Sequence, residues 1–124
     1  HLDRLSSVLR EGRLADGRQV DNREYQGAIQ EVTALRGQLA QTFEEVDILV
    51  SPSAAGPAPA TLETTGEATF SSAWTLAGNP AITLPLFSAV GSGLPIGCQF
   101  IAGFANDDML LAASKWVMDV FGPG

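Results

Sequence analysis

Three residue types that occur once each limit what chemistry this chain can do by itself. Its 124 residues contain one histidine (His1), one lysine (Lys115) and one cysteine (Cys98). A Ser-His-Asp arrangement needs an imidazole to take the serine proton, and His1 is the terminal residue, where chains fray. A serine-lysine mechanism needs a desolvated lysine beside the nucleophile. Lys115 falls on a helical segment with one apolar face and is expected to be a solvent-facing cation. Cys98 lies in "IGCQF", a buried-strand pattern with no base in sequence reach, so it is expected to pack. With only His1 and Cys98 as imidazole or thiolate ligands, no metal site is expected, and no cofactor is.

The carboxylates and glycines add little. Asp107 and Asp108 are expected in the first turn of a helix, where they complement its dipole. Glu44 and Glu45 read as the exposed end of a long helix. Glu63 and Glu67 lie in a loop and could line a pocket. Gly91 and Gly93 form G-x-G, but this leads into Leu94-Pro95 and a strand; a phosphate cradle would lead into a helix, so a turn is expected. No catalytic constellation stands up in these residues alone.

The elements that would position these groups follow from periodicity. Residues 2–16 predict a helix, with Leu2, Leu5, Val8 and Leu9 at helical spacing before Asp16-Gly17. Asp21 precedes Glu24 by three residues, the spacing of a capping box. From there Tyr25, Ala28, Ile29, Val32, Leu35, Leu39, Phe43 and Val46 mark one stripe of a helix of about 24 residues, roughly 36 Å long. That stripe needs a partner surface along its whole length. "DILVSP" reads as a short buried strand ended by Pro52. "SAAGPAPATLETTGEAT" is too rich in Pro, Gly, Ala and Thr for regular structure. "FSSAWTLAG" predicts a helical turn capped by Ser71 or Ser72 and closed at Gly78. "AITLPL" and "PIGCQFIA", joined by "FSAVGSG", predict an antiparallel hairpin. The last helix is expected to start at an Asn106 cap, to face Leu110, Leu111, Ala113, Val117, Val120 and Phe121 inward, and to stop at Gly122-Pro123.

The order is α/β, with about three strands and three helices in a single segment, residues 1–124. "AITL" is apolar on both faces and should be covered on both sides, which three helices can barely do, so neighbouring structure is expected. The chain starts at His1 and not at Met, which reads as a start partway through something longer. The formal charge of −7 would repel nucleic acid or an anionic membrane. Six of the seven basic residues lie between Arg4 and Arg36, interspersed with acids, as on a solvated helical face. No apolar run is long enough for a transmembrane helix, no signal-peptide core is present, and a cytoplasmic location is the default.

Three linked stretches carry a resemblance: "DILVSPSAAGPAP", "TGEATFSSAWTLAGNPAITLPL" and "GLPIGCQFIAGFANDDMLLAASKWV". Together they resemble the C-terminal part of the amidase signature family from about Asp21 onward, with "LDRLSSVLREGR" resembling the preceding helix. The resemblance implies the C-terminal part of a mixed β-sheet flanked by helices. It implies an enzyme that hydrolyses amide C–N bonds with one lysine and two serines. Those groups belong to a Gly/Ser-rich signature and an upstream lysine that this sequence does not contain, so no catalytic residue carries over and the chain alone is expected to be inactive. The resemblance places Phe70, Trp74 and Asn79 near the substrate pocket, and Thr65 and Gly66 less firmly. It implies as partners the missing N-terminal portion of the fold and, in the complete enzyme, a small-molecule amide; self-association as a homo-oligomer is left open. The rival expectation is a non-enzymatic α/β binding or assembly module that docks through the long helix and the apolar strands.

Overall fold

The computed structural model describes residues 4–59, 61, 64 and 66–122. The chain divides into two compact units at Ala34/Leu35.

The first unit holds α1 (Ser7–Glu11), α2 (Arg13–Gly17) and the first half of α3 (Asn22–Glu45). The single helix expected over residues 2–16 is two short ones. They meet at Gly12, whose ψ of −105° leaves the helical region, while a Cβ there would stand 2.7 Å from the Val8 carbonyl oxygen. Side-chain periodicity carries no trace of such a break. α3 starts as expected. The Glu24 N–H donates to Asp21 Oδ1 at 2.8 Å and the Asp21 N–H donates to Glu24 Oε2 at 3.2 Å, a reciprocal capping box. The helix runs 24 residues and buries none of them.

The second unit is built on a three-stranded antiparallel sheet of order β1-β3-β2, with β1 (Ile48–Pro52), β2 (Ala81–Ser88) and β3 (Pro95–Ala102). Register pairs Ile48 with Ala102 and Pro52 with Cys98 on one side of β3, and Ala81 with Ile101 and Leu84 with Cys98 on the other. The β2–β3 ladder shifts register between Leu84 and Phe87. Pro85, which has no N–H to give, sits in that irregularity. The G-x-G segment is the hairpin turn: Gly91 and Gly93 have φ of 92° and 69°, and the Ala89 N–H donates to the Leu94 carbonyl at 2.8 Å.

One face of this sheet is covered by α5 (Asp107–Phe121). Because side chains alternate along a strand, Phe100 and Ala102 of β3 and Leu84 of β2 meet Leu110 and Val117 of α5, with Ile48, Ile82, Leu86, Cys98 and Met118 half-buried around them. Cys98 therefore packs in the core. The two-sided coverage expected of "AITL" is not what the structure has: Ile82 and Leu84 face α5, whereas Ala81 and Thr83 on the opposite face are exposed. On α5, Leu110, Ser114 and Val117 form the buried line, and Leu111, Val120 and Phe121, expected inward, are exposed. The i, i+4, i+7 row belongs to Leu110, Ser114 and Val117, which turns Leu111 and Val120 to other sides. Asn106 holds the N-cap position without a side-chain bond. Among the described residues no helix is long and apolar enough to cross a membrane.

Candidate functional site

The segment from Ser71 to Ala81 brings the sequence-nominated residues to one end of the sheet. α4 (Ser72–Ala77) is not capped by a serine hydroxyl accepting from the backbone. Ser71 and Ser72 instead donate from Oγ to the Ala68 carbonyl at 3.3 and 2.7 Å. The helix closes as expected at Gly78, in the left-handed region with φ 80° and ψ 21°, a conformation natural for glycine. Both the Gly78 and Asn79 N–H groups donate to the Trp74 carbonyl, at 2.8 and 3.1 Å. The Asn79 Nδ2 donates to the Ala102 carbonyl at 2.8 Å, and the Ala102 N–H donates to the Pro80 carbonyl at 3.1 Å. The turn is thus fastened to the end of β3 on both sides of Pro80.

Trp74 and Asn79 line one cavity of about 470 Å³, whose other walls include Phe104, Ala105 and Asp107. The Trp74 Nε1 is buried with no hydrogen-bond partner among the described residues, a cost that a buried donor normally avoids. Ala105, with φ 59°, is among the described residues the one non-glycine in the left-handed region. Asn79 also borders a second cavity of about 530 Å³, with Arg36, Leu39, Phe43, Phe104 and Asn106. Phe70 is half-buried, four positions before Trp74, and is not among the residues lining either cavity. A third cavity of about 430 Å³ lies under the Ser53–Pro59 loop and takes in Gly66, Glu67 and Thr83. Glu67 and Gly66 are thus pocket-lining as expected, while His1, Glu63 and Thr65 lie outside the described residues.

Arg36 was passed over by sequence reasoning as part of a solvated basic face. Its Nε donates to the Ala77 carbonyl at 2.9 Å and its Nη2 to the Leu76 carbonyl at 3.3 Å. The signal that could have found it is its place at i+4 from Val32 and i−3 from Leu39, within the apolar stripe.

The titratable groups stay apart from these cavities or pair with each other. Lys115 is 75% exposed and its Nζ donates to Asp119 Oδ2 at 2.6 Å across one helical turn. That setting is the reverse of the dry pocket a lysine base requires. Among the described residues no group of three or more His, Cys, Asp and Glu could hold a metal ion.

Comparison with known proteins gives a consistent answer. The sequence family described as Amidase matches residues 2–111. A glutamyl-tRNA(Gln) amidotransferase subunit of Streptomyces coelicolor is 36% identical over 109 residues, covering 78% of this chain and 21% of that protein. The corresponding amidotransferase subunit of Archaeoglobus fulgidus is 33% identical over 90 residues, 68% of this chain and 19% of its own length. Among solved structures, a crystal structure of an amidase superimposes with a TM-score of 0.82 at 29% identity, covering 98% of this chain and 30% of the other. The chain therefore spans about a fifth of the length of these curated relatives. With a family match running from residue 2 to residue 111 and an amidase fold that accounts for its strands and helices, the chain belongs to the amidase signature family.

Proposed function

We propose that this chain is the C-terminal structural and pocket-wall portion of an amide C–N bond hydrolase of the Ser-Ser-Lys type, and that alone it is inactive. The observation that carries the reading is the combination of family membership over 2–111 with a single lysine that is exposed and ion-paired. Acyl transfer of this type needs a serine oxygen to attack the amide carbonyl, a neutral lysine to accept the proton, and donors for the oxyanion. In this reading those groups come from the N-terminal portion of the fold, which is the chain's partner. Trp74 and Asn79 supply wall. The Asn79 Nδ2 is committed to Ala102, which leaves its carbonyl oxygen to meet a substrate N–H. Phe70, half-buried ahead of α4, contributes from behind Trp74. The relatives named as an amidase and as amidotransferase subunits support an amide as substrate. The formal charge of −7 disfavours nucleic-acid contact by this portion itself.

The test is hydrolysis of simple aliphatic and aryl amides by the 124-residue chain, without and with the rest of the fold supplied. We expect turnover only in the second case. Hydrolysis above background by the chain alone, or acylation of one of its serines by an amidase-directed phosphonate, would sink the proposal. The intact mass of the protein purified from its source decides the rival: a species of 13.0 kDa with a sharp thermal transition would favour a free-standing docking module.

A further inference from the structure

We infer that Arg36 is a positioning residue that clamps the turn carrying Trp74 and Asn79 into the pocket wall; this rests on the pocket-wall reading of those two residues. Arg36 stands on α3 in line with Val32, Leu39 and Phe43, where a charge is out of place unless it finds acceptors. It finds two of the carbonyls that the end of α4 leaves unpaired, those of Leu76 and Ala77, at 3.3 and 2.9 Å. The last carbonyls of a helix lack intrahelical donors and form its negative end, so a guanidinium there satisfies both needs.

The clamp matters because α4 is only six residues long, far below the length at which a helix holds itself. Its far end is organised by the bonds that follow: Gly78 and Asn79 N–H to the Trp74 carbonyl at 2.8 and 3.1 Å, then Asn79 Nδ2 to the Ala102 carbonyl at 2.8 Å. Arg36, the Leu76–Ala77 carbonyls, the Trp74 carbonyl and the Asn79 amide thus form one connected polar unit. Its two outer anchors are α3 and β3. Nε and Nη2 sit in a fixed fork and reach two adjacent carbonyls at once, which a lysine ammonium on a flexible stem does not reproduce. Arg36 also lines the cavity that Asn79 and Phe104 border, so release of the fork would open both walls together.

The experiment uses the intact protein that carries this chain, with Arg36→Gln, Arg36→Lys and, as a control, Arg23→Gln, an exposed arginine of the same helix. Hydrogen exchange read by mass spectrometry over residues 72–80 is expected to speed up about tenfold at Gly78 and Asn79 in Arg36→Gln, less in Arg36→Lys, and not at all in Arg23→Gln. Unchanged exchange in Arg36→Gln, or an equal rise across β3 and α5, overturns the clamp. In amide turnover, Arg36→Gln is expected to raise KM about tenfold with kcat held within about threefold, and Arg36→Lys to recover part of the loss. A fall in kcat at constant KM reports only fewer folded molecules and overturns the positioning role. An intact protein with no amide turnover removes the pocket-wall reading, and the exchange result then decides the clamp by itself.

Discussion

Helix α5 lies against β2 and β3 and buries Leu110, Ser114 and Val117, whereas α3, nine residues longer, buries none of its residues. Both carry apolar side chains at helical intervals. α5 is held by apolar contact with a sheet the chain itself provides. α3 is held by polar devices: a capping box at Asp21 and Glu24 and the Arg36 fork on α4. The contrast teaches that amphipathicity marks which face is to be covered and says nothing of what covers it. In the amidase reading, the cover for Tyr25 and Ile29, which are 55% and 45% exposed, is polypeptide outside these 124 residues.

The sharpest break of that comparison lies in the core under α5. Phe100 is 7% exposed and central to the buried cluster. Phe100→Ala should cost about 3–5 kcal/mol by lost burial and a residual cavity, read as a fall in the urea midpoint. A cost of a fraction of this would mean that α5 is no better seated than α3. Next comes the turn. Gly78→Ala forces a Cβ into φ 80°, where the nearest obstacle, the Phe104 ring at 3.4 Å, is an ordinary contact. Backbone strain alone should therefore cost about 1–2 kcal/mol. An unchanged urea midpoint would show that the turn relaxes out of the left-handed region. Asp21→Ala should cost about 1 kcal/mol, appearing as faster exchange in the first turn of α3 and nowhere in α5.

These three positions differ in how far the sequence showed them. The capping box was legible because both partners lie three residues apart and the spacing names the bond. Gly78 was legible for the same reason: a helix end, a left-handed residue and a tight turn are local. The Gly12 break was not, since two short helices keep nearly the same side-chain order as one. Nor were the α4 serines, because a hydroxyl that can accept from the helix can equally donate to the Ala68 carbonyl. The site divides the same way. Trp74 and Asn79 meet around one cavity because one short turn carries both. Arg36 finds its acceptors 40 and 41 positions away, and only its odd place in an apolar stripe gave a hint. The face of the sheet opposite α5 was over-read: Thr83 and Ala81 are exposed, and burial on that side depends on neighbours no local pattern names.

The smallest expected effect sharpens the comparison most. In the 124-residue chain, Ile29→Ala should change the stability of α3, read by its own amide exchange, by less than about 0.5 kcal/mol, since surface truncations away from packing do little. Leu110→Ala, the matching deletion on α5, should cost about 2–5 kcal/mol. The difference comes from the covering and not from the residue, because both are apolar side chains on amphipathic helices. Supplying the rest of the amidase fold should leave the Leu110 cost unchanged and raise the Ile29 cost to about 2 kcal/mol or more, as its exposed side chain becomes a buried one. If Ile29→Ala remains silent in the complete protein, the stripe on α3 is not a seam for the missing sheet. The helix would then be a free surface whose apolar face serves something else.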